Sequence, residues 1–297
     1  MSIIVASTEQ ANNATPVAGR PIARLAAPRL SLASCVRAHV VRSTLDCAPL
    51  PEVQRVNRYP ASPFCTLFFQ LAGDSAMLAP FVPDQPLRAG EALLCGPQSA
   101  PTATANSGPV HFLMVLFYPD ALHRLTGIDM TACLDTMRPL HEMLDETWQA
   151  MARAIFAAPS DEARIAVLEQ FLEPRWRAVR GGAFDGVLGD WVRRLGAQAA
   201  AAGVGRSVRM AERRVREWAG QPLRTLRRMR RAEAAFIEAR EQALRGEVLL
   251  SDIAARGGFS DQSHMSREAR QISGLSPAEI LRAGLEDESY WMYRIWN

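Results

Sequence analysis

The stretch LLSDIAARGGFSDQSHMSREARQISGLSPAEI, residues 249–280, constrains the fold more than any other part of this chain. Ile253 and Ala254 share one face of a short helix. Gly257 and Gly258 supply the positive-φ freedom of a tight turn between helices, and Phe259 plugs the angle between them. Ser260 is the candidate N-cap of a second helix, with Asp261 at its first position. Met265, Ala269 and Ile272 form the inward stripe of that helix, and Gly274 ends it. Ser276-Pro277-Ala278-Glu279 then reads as a capping box with proline at the first position of the next helix. The expected order is a helix, a tight turn, a second helix and a firm stop. Gln262, Ser263, Ser266 and Arg267 share the outward face of the second helix. All four form hydrogen bonds and none favours burial, as a helix read against a major groove requires.

The pattern repeats upstream in GVGRSVRMAERRVREWAGQPLRTLRRMRRAEAAF, residues 203–236. A Gly-containing turn precedes a helix that Ser207 can cap and Gly220 can stop. Met210, Ala211, Val215 and Trp218 point inward; Arg209, Glu212, Arg213 and Arg216 share the outward face. Pro222 opens a longer helix leading to the second unit. The expectation is two helix-turn-helix units on one body.

Charge follows the same division. Residues 183–282 hold 18 Arg against 12 acids, whereas residues 1–182 hold 15 Arg against 16 acids. All 34 basic side chains are arginine, so every basic contact is a guanidinium, suited to bidentate recognition of phosphate and guanine.

The first half reads differently. Residues 1–27, rich in Ala, Asn, Thr and Pro, are expected to form a mobile arm. From 28 to about 130, apolar runs such as FCTLFFQLAG (64–73) and PVHFLMVLFYP (109–119) lie between Gly and Pro and predict a small β sandwich or barrel. Residues 131–182 take up helical spacing, with Ser160 as an N-cap, and read as a helical connector. The GGAF segment at 181–184 reads as a hinge, and 183–284 as the helical domain. The tail at 285–297, LEDESYWMYRIWN, is acidic and aromatic, so it either docks on the protein or a partner, or finishes the helical bundle. The fold class expected is α+β: a β-rich N-terminal domain, which the resemblance described next implies is a sensing domain, plus an all-α C-terminal domain with two helix-turn-helix motifs.

Residues 253–277 resemble the second motif of the AraC/XylS-type transcription regulators. Ile253, Ala254, Gly258, Phe259, Ser263, Arg267, Arg270, Gly274, Ser276 and Pro277 fit its pattern. The first motif is matched by Ser207, Arg209, Arg213 and Gly220, with Pro222 one position early; Ala269 stands where many members carry an aromatic residue. The resemblance implies a transcription regulator that binds double-stranded DNA, and an N-terminus that does not read as a secretory signal makes the cytoplasm the expected location. Base-edge contacts fall to Arg209, Glu212 and Arg213 in the first head and to Gln262, Ser263, Ser266 and Arg267 in the second. Arg206, Arg214, Arg216, Arg227, Arg228 and His264 are phosphate candidates, and Gly258, Phe259, Gly274 and Pro277 shape the motif. A small-molecule effector, RNA polymerase and a second copy of the chain are partners such a regulator can take.

Other classes find less support. The five scattered cysteines, never in C-x-x-C spacing, argue against a disulfide framework or a zinc site; buried, reduced thiols are expected instead. His39, His111, His123 and His141 form no ligand cluster, and no hydrolase, metalloprotease or P-loop motif occurs. No enzyme activity, cofactor or metal is therefore expected. No apolar run reaches the ~18 residues of a membrane span.

Overall fold

The structure, a computed structural model, describes residues 19–78, 86–180, 191–202, 208–246 and 248–295. The first half is a β sandwich. Its strands are β1 (Ile22–Ala26), β2 (Val36–Ser43), β3 (Val56–Tyr59), β4 (Cys65–Ala72), β5 (Ser75–Leu78), β6 (Pro86–Leu87), β7 (Ala92–Cys95), β8 (Thr102–Asn106), β9 (His111–Phe117) and β10 (Met137–Pro139). One sheet runs β1-β2-β9-β4-β7-β10 and the other β3-β8-β5-β6, with antiparallel pairing throughout.

Strand β9 shows why these residues read as unbroken apolar runs. Phe112, Met114 and Leu116 face the space between the sheets, whereas Leu113, Val115 and Phe117 face the opposite side. That opposite side is covered by helices, so both faces of the strand are dry. The helices are α1 (Pro119–Thr126), α2 (Met130–Cys133), α3 (Leu140–Met143), α4 (Glu146–Ala157) and α5 (Asp161–Val179). Trp148, Ile155, Leu168 and Trp176 of α4 and α5 join Leu113 and Val115 in one core. Ser160 caps α5 through Ala163 N, as its sequence predicts.

The connector expected at 131–182 is therefore not a separate unit. β10 pairs with β7 as an edge strand, and α4 and α5 share the core of the six-stranded sheet. Helical spacing alone cannot show which surface a helix covers. The arm expected at 1–27 is also corrected at its end. β1 pairs with β2 from Ile22↔Ser43 to Ala26↔His39, and Arg24 reaches Glu162 at 2.8 Å. A strand of sequence IARLA pairs because a neighbour's edge is open, which composition does not reveal. Residues 1–18 lie outside the described residues.

The second half is helical: α6 (Trp191–Ala201), α7 (Val208–Ala219), α8 (Leu223–Leu244), α9 (Leu250–Arg256), α10 (Gln262–Ser273) and α11 (Pro277–Glu286). Two small cores form. Leu195, Ala199, Val215 and Leu226 join α6, α7 and the start of α8; Ala235, Ala239, Ile253, Phe259 and Met265 join the rest of α8 to α9 and α10. The chain then returns to the β sandwich. A 3-10 turn (Glu288–Tyr290) and α12 (Trp291–Ile295) place Trp291, fully buried, among Val40, Phe68 and Phe112. Of the two fates expected for the tail, docking on the chain itself is the one observed.

Four of the five cysteines are buried, and Cys47 is half-buried. Burial pushes the Cys95 thiol up to about 12 and raises Cys35 and Cys65 well above the ordinary range. Such thiols are protonated and inert. His111 Nε2 lies 3.0 Å from Asp161 Oδ1, a structural pairing. Among the described residues no group of three or more metal-ligating side chains is assembled, and no helix is long and apolar enough to cross a membrane.

Candidate nucleic-acid interface

Helices α6 and α7 form the first head, and α9 and α10 the second; α8 joins them. In the first head, Val215 and Ala219 of α7 are buried against α6 and α8. Arg209, Glu212, Arg213 and Arg216 are all exposed, one stripe along the opposite face. Gly220 stops the helix at φ +70° and donates its N–H to Arg216 O. The Gly203–Gly205 turn, Arg206 and the Ser207 cap lie outside the described residues.

The second head follows the sequence closely, with two local shifts. Only Gly258 adopts positive φ, +71°. Gly257 is needed for space instead: a Cβ there would stand 2.8 Å from the Phe259 ring. The N-cap of α10 is Asp261, whose carboxylate accepts from His264 N at 2.6 Å. Ser260, expected in that role, bonds the His264 ring at 3.1 Å instead. An aspartate one residue closer to the helix is the stronger acceptor because its charge also meets the positive end of the helix dipole. Gly274 ends α10 at φ +81°, and the Ser276–Glu279 capping box is complete, with Pro277 at the first position of α11.

Gln262, Ser263 and Arg267 are exposed on α10, and Ser266 is half-buried beside them. His264, expected as a phosphate contact, makes internal bonds on both sides of its ring. One ring nitrogen faces Ser260 and the other lies 3.2 Å from Glu268 Oε1, so the ring braces the head from within. Arg228 likewise donates to Gln271 of α10 at 3.0 Å. Arg214 is half-buried, while Arg216 and Arg227 remain exposed.

Two residues that hold the second head were not singled out from sequence. Glu268 is buried on the inner face of α10, and Arg231 of α8 donates to it at 2.6 Å. The Arg231 guanidinium also lies 4.8 Å from the centre of the Phe259 ring. The available signal was Glu268 itself, an acid three residues after Met265 on a helix face otherwise apolar.

Each head meets the β domain in its own way. At the first head, Thr131 Oγ1 donates to Arg216 O at 3.1 Å, and Trp191 Nε1 donates to buried Asp120 at 2.7 Å. Burial raises the Asp120 carboxyl above its ordinary value, and the Trp191 bond pulls it back down. Gly220 packs so closely on α2 that a Cβ would lie 2.8 Å from Met130 O. At the second head, Ala61 N donates to Ile272 O at 2.7 Å. Beside that bond lies a cavity of about 190 Å³. Phe64, Phe68 and Leu116 line it from the sandwich, and Phe259, Met265 and Ile272 from the second head. Gln98 is in its wall, and the Gln98 side-chain oxygen is buried without a hydrogen-bond partner among the described residues.

A helix-turn-helix domain family model of the AraC type matches residues 200–283, which span the end of α6 through most of α11. The chain carries an AraC-type helix-turn-helix domain. The AraC-type unit thus contains both exposed helix faces, and the β sandwich lies outside the matched segment. No curated protein sequence is similar to the chain at a significant level. Among solved structures, ToxT from Vibrio cholerae is 11% identical, covering 82% of this chain and 98% of its own, at a TM-score of 0.41. A ToxT structure with a bound unsaturated fatty acid is 14% identical over 78% and 94%, at 0.37. The AraC-like transcriptional activator CuxR is 9% identical over 93% and 100%, at 0.27. Likeness at this level says nothing of what the present chain binds.

Proposed function

We propose that this chain is a sequence-specific DNA-binding transcription regulator whose β-rich domain senses a small molecule. The observation that carries this is the pair of exposed polar faces on α7 and α10, held on one body by α8 inside the AraC-type domain. Arg209, Glu212 and Arg213 read bases in the first head; Gln262, Ser263, Ser266 and Arg267 read them in the second. Arginine suits guanine, glutamine suits adenine, and glutamate can accept from cytosine. Arg216 and Arg227 contact phosphate, so affinity falls steeply with salt as counterions are released. His264 acts by fixing the start of α10. In this reading the protein works in the cytoplasm.

The junction cavity is the effector site of this reading. Among the described residues its lining includes no arginine, and the one charged lining residue is Glu233, which lies 3.6 Å from Arg37. A carboxylate or phosphate ligand would therefore be buried without a counter-charge. The walls suit an uncharged, largely apolar molecule with one donor for Gln98.

The test is selection of genome fragments by the purified chain at moderate salt. Recovery of one short sequence, lost with Arg267→Ala, is the expected result. Retention that is sequence-blind and vanishes with salt would overturn it.

A further inference from the structure

The C-terminal segment stands outside both readings so far, since it follows the matched domain and carries no face for DNA. It is separated from α11 by Asp287 alone, yet its side chains are set in the β sandwich. Trp291 lies between β2 of one sheet and β3 of the other. Its Nε1 donates to Asn57 Oδ1 at 2.9 Å, completing a buried amide whose own nitrogen donates to Thr104 and Asn106. Arg42, with a side chain 1% exposed, donates to Glu288 Oε1 at 2.7 Å and lies 5.1 Å from the Trp291 ring centre. Ser289 Oγ donates to Val53 O at 2.9 Å, and the Arg58 guanidinium covers Tyr290 at 5.5 Å. On the other side, Tyr293 meets Phe236 of α8 edge-on at 5.9 Å.

These contacts are unlike those that hold β9 or α5. The Trp291, Met292 and Tyr293 side chains are buried, and beside them the segment is held by a charge pair and hydrogen bonds. The polar part of this hold regains hydration on release, so opening costs less than it would for a wholly apolar seat of the same area. Met292 and Tyr293 also wall the junction cavity, so a ligand there would touch the segment directly.

We propose that residues 287–295 are a latch. The slot that receives Trp291 and Glu288 is a docking site for the chain's own C-terminal segment. Its occupancy decides whether the second head is pinned to the β domain at both ends or only through the Ala61–Ile272 bond. With the latch closed, the second head is held at both ends, by the Ala61–Ile272 bond and by the plug one residue beyond α11. The spacing between heads is then set by the sandwich. With the latch open, α8 and the single Ala61–Ile272 tie set it. The effect on DNA rests on the reading given above; the docking itself does not.

Hydrogen exchange on the intact chain is the first experiment. Amides of 287–295 should exchange at least ~10-fold faster than those of β2 and β9, by local opening, and Glu288→Gln should speed them further. Exchange of the segment in step with β2 and β9 would make it permanent core and overturn the latch. The second experiment adds a labelled peptide of residues 285–297 to a chain ending at Glu286. Saturable binding is expected, weakened ~10-fold or more by Glu288→Gln in the peptide because buried Arg42 loses its partner. A folded truncated chain that ignores the peptide, or a truncated chain that cannot fold, would overturn the proposal. Neither experiment uses DNA, so each stands apart from the DNA-binding reading. The third does: as base pairs are inserted between half-sites, the truncated chain should lose less affinity than the intact one. Equal losses in a chain that does bind DNA would overturn the claimed control of head spacing.

Discussion

The two heads share one design and differ in how the β domain holds them. The first head is seated by direct contact. Gly220 meets Met130 O with no room for a side chain, and Thr131 and Asp120 bond to α7 and α6. The second head touches the sandwich through the Ala61–Ile272 bond and otherwise faces an apolar cavity and the C-terminal plug. Close packing transmits position rigidly, because interiors have little compressibility. A cavity does the reverse: its walls can settle in more than one arrangement, and a ligand can choose between them. The first head is thus the fixed reference and the second the adjustable one.

The largest expected effect is at the fixed contact. Gly220→Ala must place a side chain in left-handed backbone and against the Met130 carbonyl. Strain and overpacking together should cost about 2–4 kcal/mol, read as a lower urea midpoint and faster hydrogen exchange in α7. Gly258→Ala and Gly274→Ala are matched controls. Both glycines have positive φ but open space at the Cβ position, so only the conformational cost of about 1–2 kcal/mol applies. Equal losses at all three sites would remove the tight seat of the first head.

Next in size is DNA recognition. Arg213→Ala and Arg267→Ala should each lose about 1–3 kcal/mol of specific binding, measured by titration against the selected operator. Each should relax the sequence preference at its own half-site. If the second head is the adjustable one, an uncharged ligand that binds the chain should alter the Arg267 half-site footprint and leave the Arg213 half-site unchanged. A ligand that shifts both footprints alike would break the comparison.

The second head was largely legible in the sequence because its signals are local. Gly258, Phe259, Gly274 and the Ser276–Glu279 box each act within one turn of the residues they shape, and each acts there in the structure. Ser260 was the expected N-cap, and its neighbour Asp261, expected at the first helical position, takes that role instead. What was not legible depends on distant partners. Glu268 is understood only with Arg231, 37 residues earlier, and Arg42 only with Glu288, 246 residues later. β1 needed the open edge of β2, and α4 and α5 needed the sheet they cover. The cavity, a property of two surfaces meeting, has no trace in either segment alone.

The smallest effect tests the comparison most directly, because the same chemical change should have opposite signs at the two heads. Ala219, at the end of α7, is fully buried in the first core. Ala219→Leu adds three carbons where no room exists and should destabilise by about 1–3 kcal/mol. Ala269, on the inner side of α10, lines the cavity. Ala269→Leu puts the same atoms into empty apolar space and should stabilise by about 0.5–1 kcal/mol, as cavity filling commonly does. Thermal unfolding of both variants gives the signs. The Ala269→Leu chain should also keep its DNA affinity while losing its response to any ligand that uses the cavity, since the added side chain occupies the ligand's place. Destabilisation by Ala269→Leu comparable to that of Ala219→Leu would mean that the walls close up and that the second head is seated as firmly as the first.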